Sequence, residues 1–301
     1  MSLSGSITMA ILRIIRPGKG SFSDVEKSKK KAEKENAAFV FSMPKSRKAK
    51  LSLLTGAAKP CLIIQPNKRT NTDKAILYIY GGVTNNWKTQ RSMAISYAAA
   101  AGTEVWYPVY PSMTEVSIEE TVDYLVQIYR TMTKRFAPEK IALSGVSMGG
   151  LYALEIVNSI NHRELDIPMP GLVLAHSPGG VPDNEEDWTL MREYEKRDPL
   201  FSEADLRVIE KITPHDGPIP GWLLYPARGD FRNAPPTYLY YGEEMLAGNA
   251  PLYRRAFEKS GTEDRLHIQI AENMMHGYSC MPVFPESRKS YSETLELIRK
   301  L

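Results

Sequence analysis

Lys140-Ile141-Ala142-Leu143-Ser144-Gly145-Val146-Ser147-Met148-Gly149-Gly150 is the stretch that decides how the rest of the chain is read. It contains Gly-x-Ser-x-Gly, a pattern short enough to arise by chance, so its surroundings matter. The residues Lys140 to Ser144 predict a strand, and a helix is predicted to open at Met148. A serine on such a strand–turn–helix elbow is exposed at the strand end, with flanking glycines leaving room for the adjacent strand and helix. A plain glycine-rich turn between strand and helix is the simpler alternative.

Working outward, the runs Cys61–Ile64, Ala75–Tyr80, Glu104–Val109, Leu172–His176, Thr237–Tyr241 and Leu266–Ala271 also read as strands. Amphipathic stretches lie between them, among them Ile118–Arg135, Leu151–Ile160 and Pro251–Ser260. Ile76-Leu77-Tyr78-Ile79 and Leu172-Val173-Leu174-Ala175 are continuously apolar, as strands buried on both faces are. The alternation predicts an α/β fold with a mainly parallel sheet flanked by helices. Residues 1 to about 58 are expected to precede the sheet as a helical cap segment, with the α/β domain over 59–301. Residues 177–235 are rich in Pro, Gly and aromatics (Trp188, Tyr194, Phe201, Trp222, Tyr225). An insertion of that length usually forms a lid or pocket wall. Both regions are placed to cover the carboxyl ends of the strands, where open α/β sheets bind ligands.

The composition bounds the class. The chain has 301 residues, 43% hydrophobic and 24% charged, which is long enough to bury a core without disulfides. Cys61 and Cys280 are the two cysteines, which excludes a disulfide scaffold and a multi-cysteine metal cluster. A reducing, cytoplasmic setting fits best. No run reaches the ~18 apolar residues of a membrane span. The nearest, Ile7 to Ile15, is interrupted by Arg13 and followed by Arg16 and Lys19; without a small-residue cleavage site it reads as an amphipathic helix rather than a signal peptide. Residues 1–50 hold 12 Lys/Arg against 4 Asp/Glu, and the remainder is net acidic. The lysines at 27, 29, 30, 31 and 34 alternate with Glu26, Glu33 and Glu35 after a Ser23-x-x-Glu26 capping box, so a solvated helix face is favoured over a nucleic-acid patch.

A serine hydroxyl needs a base to become a nucleophile. His162, His176, His215 and His267 read as surface or core histidines, and His176 comes too early in the chain for the base. His276, in Met274-Met275-His276-Gly277-Tyr278, follows the last strand and precedes the final helix. The base in turn needs an acid. Glu244 follows the strand Thr237–Tyr241, with Glu243 its close competitor because the turn register decides which carboxylate points inward; Asp264 and Glu272 read as solvated. Ser147, Glu244, His276 is the Ser…Asp/Glu…His chain order of one hydrolase architecture. Tyr80-Gly81-Gly82-Val83 follows another strand, where small residues let backbone amides approach a ligand. Gly82, Val83 and the amide of Met148 are candidate oxyanion donors, and Tyr80 and Gly81 candidate substrate contacts.

Through these four segments the chain resembles the hormone-sensitive-lipase-like esterases of the α/β-hydrolase fold. The matching residues are Tyr80-Gly81-Gly82, Gly145-Val146-Ser147-Met148-Gly149-Gly150, Gly242-Glu243-Glu244-Met245-Leu246 and Met275-His276-Gly277-Tyr278, spanning roughly residues 60 to 300. The resemblance implies a carboxylester hydrolase working through an acyl-enzyme, with N-terminal helices and an insertion as a cap and the acid at Glu244. The chain departs from the family where His-Gly-Gly-Gly is Tyr80-Gly81-Gly82-Val83. Val146 stands where Asp is common, Met148 where Ala is common, and Tyr107-Pro108-Val109-Tyr110-Pro111 is divergent. These mark a divergent branch. The expectation is a serine esterase for short to medium acyl esters, without metal or organic cofactor. An amidase or peptidase on the same fold and a non-catalytic ligand-binding protein are the rivals. A small-molecule ester is the expected partner, with no nucleic acid and no stable membrane insertion; a homodimer is compatible with the sequence.

Overall fold

The computed structural model describes residues 3–15, 24–37, 39–83 and 87–301. Strands are β1 (Ala49–Leu53), β2 (Cys61–Pro66), β3 (Asn71–Ile79), β4 (Thr103–Pro108), β5 (Ile141–Val146), β6 (Leu172–His176), β7 (Thr237–Gly242) and β8 (Leu266–Ala271). The longer helices are α1 (Leu3–Ile15), α2 (Val25–Ala37), α3 (Trp87–Ala101), α4 (Ile118–Met132), α5 (Met148–His162) and α6 (Glu185–Glu195). After the short α7 (Glu203–Leu206) and α8 (Ile209–Ile212) come α9 (Ala250–Lys259) and α10 (Pro285–Lys300).

The sheet runs β1-β2-β4-β3-β5-β6-β7-β8. β2 pairs antiparallel with β1 and β4, and every pair from β4 to β8 is parallel. All six residues of β5 and all five of β6 are buried, as strands covered on both faces require. The turns after β3, β5, β7 and β8 therefore open at one edge of the sheet, the carboxyl edge where the expected site residues cluster in sequence.

The seven predicted strands agree in place with β2–β8 to within a few residues. β1 differs: the sequence reading starts the sheet near residue 60, whereas Ala49–Leu53 adds an antiparallel edge strand with Ala49 opposite Pro66 and Leu53 opposite Leu62. Only Ala49 of β1 is buried, and Leu53 faces solvent, so no continuous apolar run announces it. Ser23, Arg16 and Lys19 lie outside the described residues. The cap on α2 that can be described is Asp24, whose carboxylate accepts the Lys27 N–H at 3.0 Å. Ser28 and Ala32 of α2 are buried while Lys27, Lys30 and Lys34 are exposed, and α2 packs on α8 of the inserted segment. Among the described residues no helix is long and apolar enough to cross a membrane.

Candidate active site

Ser147 sits at the joint between β5 and α5 with φ 57° and ψ −125°. Left-handed φ is rare for a residue with a side chain and costs about 1–2 kcal/mol. The turn is held by its neighbours: the Ser147 N–H donates to the His176 carbonyl at 2.8 Å, and the Ser147 carbonyl accepts from Gly150 at 2.8 Å and Gly179 at 3.0 Å. Crowding dictates the flanking glycines. A Cβ on Gly145 would collide with the backbone of Gly149, and one on Gly149 with the carbonyls of Ile79 and Tyr80. Helix α5 thus crosses close to β3 and β5 with the serine at its head.

The imidazole of His276 is hydrogen-bonded through Nδ1 to Oε2 of Glu244. Glu244 is fully buried and His276 nearly so, with 13% of its side chain exposed. The other Glu244 oxygen, Oε1, accepts from the Ser177 hydroxyl and, at 3.2 Å, from the Gly242 N–H. Burial by itself would push the imidazole pKa down; the charge of Glu244, its hydrogen bond and the more distant charge of Asp198 offset this and leave the pKa above the ordinary histidine value. Glu243 turns the other way. Its N–H donates to the Met274 carbonyl at 2.9 Å, and its carboxylate engages Arg197 and the Asn273 N–H. The register of the turn after β7 therefore brings Glu244, not Glu243, to the imidazole. Asp264 is exposed beside Arg265, and Glu272 is also exposed.

Ser147, Met148, Gly82 and Val83 line one cavity of about 120 Å³, together with Phe201, Leu206, Ile209, Ile212 and Leu246. Phe201 joins this cavity to His276, because the two rings meet edge-on at 5.0 Å. The loop of His276 also abuts the elbow, with Gly277 lying against the Val146 side chain.

Tyr80 and Gly81, expected as substrate contacts, do not line this cavity. Tyr80 is fully buried and donates to the Tyr110 carbonyl at 2.7 Å; Tyr110 donates back to the Tyr80 carbonyl, and the rings stack at 4.1 Å. Gly81 is clamped by one side chain, its N–H donating to Gln90 Oε1 and its carbonyl accepting from Gln90 Nε2, both at 2.9 Å. Both residues shape the loop instead of presenting atoms to a ligand. Ser112 fastens the next turn through a 2.9 Å hydrogen bond to the Val83 carbonyl.

The remaining histidines are engaged elsewhere. His176 is buried, bonds through Nδ1 to the Ser279 hydroxyl at 2.8 Å, and burial pulls its pKa down to about 4. His162 ends α5 and packs at a tilt against Trp222, His215 bonds to the Gly217 carbonyl, and His267 stacks on Tyr238. Ser177, Gln90 and Asp198, whose hydrogen bonds hold turns of this site, were not singled out from the sequence. None carries a local pattern; Ser177 and Asp198 bond to partners 67 and 47 residues away, and Gln90 bonds across nine residues to Gly81.

A family model for the alpha/beta hydrolase fold matches residues 76–280. The chain belongs to this family. Its structure superposes over 100% of its length on an esterase/lipase from an uncultured bacterium (21% identity, 99% of that chain, TM-score 0.78). It superposes equally fully on an esterase of the bacterial hormone-sensitive lipase family (22%, 98% of that chain, TM-score 0.76). A third similar structure is that of EstE5 (20%, 99% of that chain, TM-score 0.80). At these identities the similarity establishes the shared fold. No curated protein matches by sequence. Among the described residues of this hydrolase-fold chain, no group of three or more His, Cys, Asp or Glu is arranged to hold a metal.

Proposed function

We propose that the chain is a serine carboxylester hydrolase of the hormone-sensitive-lipase-like branch, acting on short to medium acyl esters. The observation that carries this reading is the pairing of a buried Glu244–His276 dyad with a strained Ser147 that lines a small apolar cavity. In this mechanism the Ser147 Oγ attacks the ester carbonyl while Nε2 of His276 takes its proton. Glu244 holds Nδ1–H, fixing the tautomer, and stabilises the imidazolium that forms. The amides of Gly82, Val83 and Met148 receive the developing oxyanion, each such donor being worth about 3 kcal/mol in the transition state. His276 then protonates the leaving alcohol, and water repeats the cycle on the acyl-serine.

The segment before β1 and the insertion between β6 and β7 act as the cap. The packing of α2 on α8 supports this, since α8 contributes Ile209 and Ile212 to the cavity. Fluorophosphonate labelling followed by peptide mapping tests the proposal. Labelling confined to the Ser147 peptide, and abolished by His276→Ala, is expected. An unlabelled wild-type protein supports a non-catalytic ligand-binding role, and matched ester and amide substrates separate an esterase from an amidase.

A further inference from the structure

Asp198 lies in the inserted segment, between α6 and α7, and is 1% exposed. Its carboxylate makes no ion pair with a Lys or Arg among the described residues. It accepts three backbone hydrogen bonds instead: Oδ2 from Met245 N–H at 2.7 Å, and Oδ1 from Leu200 at 2.7 Å and Phe201 at 3.1 Å. Met245 is the residue after Glu244, and Phe201 is the ring set edge-on against His276. One buried carboxylate therefore ties the cap segment to the acid turn and to the imidazole's aromatic neighbour.

We propose that Asp198 is a positioning residue for the Ser147–His276–Glu244 site, fixing the acid turn after Glu244 and the Phe201 ring that packs on His276, and adding a second negative charge to the surroundings of the imidazole. The proposal rests on the hydrolase reading of that site. A buried carboxylate without a cation is costly, and here both of its oxygens are committed to backbone N–H donors that hold the acid turn and Phe201. Burial and the neighbouring charge of Glu244 both push the Asp198 pKa up, while the three N–H donors oppose them. The charge has a use where positive charge appears: the imidazolium forms as Ser147 attacks, in a largely buried site.

The other ionisable groups around His276 are otherwise occupied. Glu243 is turned to Arg197, Asp205 of the cavity wall accepts the Ser202 N–H and hydroxyl, and burial followed by the charge of Glu244 holds the Cys280 thiol well above its usual range. Glu244 and Asp198 are left as the two anions acting on the ring.

Asp198→Asn keeps the shape, removes the charge and puts an NH₂ group against one of the backbone N–H donors. With p-nitrophenyl butyrate, kcat is expected to fall at least tenfold while KM stays within threefold. The acid limb of kcat/KM should move at least half a pH unit lower. The His276 titration midpoint, followed by NMR in ¹³C-histidine-labelled protein, should move by the same amount in the same direction. Arg207→Gln, which loosens the Arg192–Glu203–Glu185–Arg207 cluster on the same segment without touching Asp198, should leave the midpoint in place. Phe201→Leu, which retains Asp198 and serves if the Asp198 variants fail to fold, should lower kcat at least threefold with no shift in midpoint. An unchanged midpoint in Asp198→Asn, or an unchanged kcat in Phe201→Leu, overturns the proposal. The NMR titration needs no turnover, so a wild-type protein inert to esters would refute the hydrolase reading and still leave this inference open to test.

Discussion

Replacing Ser177 by Ala removes one hydroxyl that serves two buried partners. It donates to Glu244 Oε1 and accepts the Gly277 N–H at 2.9 Å, and Ser177 itself is fully buried. Losing a hydrogen bond to a charged group costs about 1.5–3 kcal/mol, and leaving a buried N–H unpaired about 1–3 kcal/mol. The two losses share one site and are not additive, so a destabilisation of about 3 kcal/mol is expected in urea unfolding. Ser177 also holds φ 47°. Ser177→Gly relieves that strain, by about 1 kcal/mol, and should be less destabilised than the alanine variant. With Oε1 left to the Gly242 N–H alone, the negative charge of Glu244 is less compensated. The His276 pKa, already above its ordinary value, should rise further, moving the acid limb of kcat/KM upward. A stability loss below about 0.5 kcal/mol with an unmoved acid limb would refute the reasoning.

Gln90→Ala frees Gly81 from its two 2.9 Å hydrogen bonds; kcat on p-nitrophenyl acetate should drop about tenfold, equivalent to ~1.4 kcal/mol, with KM within threefold. Ile212→Phe fills part of the cavity that Ile212 lines. At ~0.8 kcal/mol per buried methylene, the butyrate-over-acetate preference in kcat/KM should fall roughly tenfold, read from parallel assays on the two esters. His176, neutral in the fold with a pKa of about 4, binds its proton more readily when unfolded. The contribution of His176 to stability is therefore fully present above about pH 6.5 and is lost as pH falls, by about 1.6 kcal/mol between pH 6.5 and 5. Urea midpoints across that range should show this dependence in the wild type and lack it in His176→Asn.

The parallel sheet was legible because residues 76–79 of β3 and 172–175 of β6 are buried on both faces and so read as unbroken apolar runs. β1 was not, since an edge strand with exposed Lys50 and Ser52 carries no such run. The elbow could be read locally because strand, glycines and helix are contiguous there. The order Ser147, Glu244, His276 was legible too, but not which glutamate faces inward. That depends on the Glu243 N–H bonding to the Met274 carbonyl, a contact between two loops. Tyr80 was expected near substrate because it occupies the place of a polar residue; its reciprocal bonding with Tyr110 buries it instead. Ser177 and Asp198 were invisible for the same reason. Their partners lie 100 and 47 residues away in the chain, and a serine or aspartate in a loop has no periodicity to betray such a role.

The sharpest measurement is the hydrolysis of p-nitrophenyl butyrate by the wild type, Ser147→Ala, His276→Ala and the double variant, each verified as folded. Side chains that act as one unit give non-additive losses. Each single replacement should lower kcat by roughly 10⁶, and the double variant should be scarcely worse than either. A Ser147→Ala protein that turns over the ester at the wild-type rate would contradict the assignment outright, and losses that simply multiply in the double variant would show that hydroxyl and imidazole do not work together.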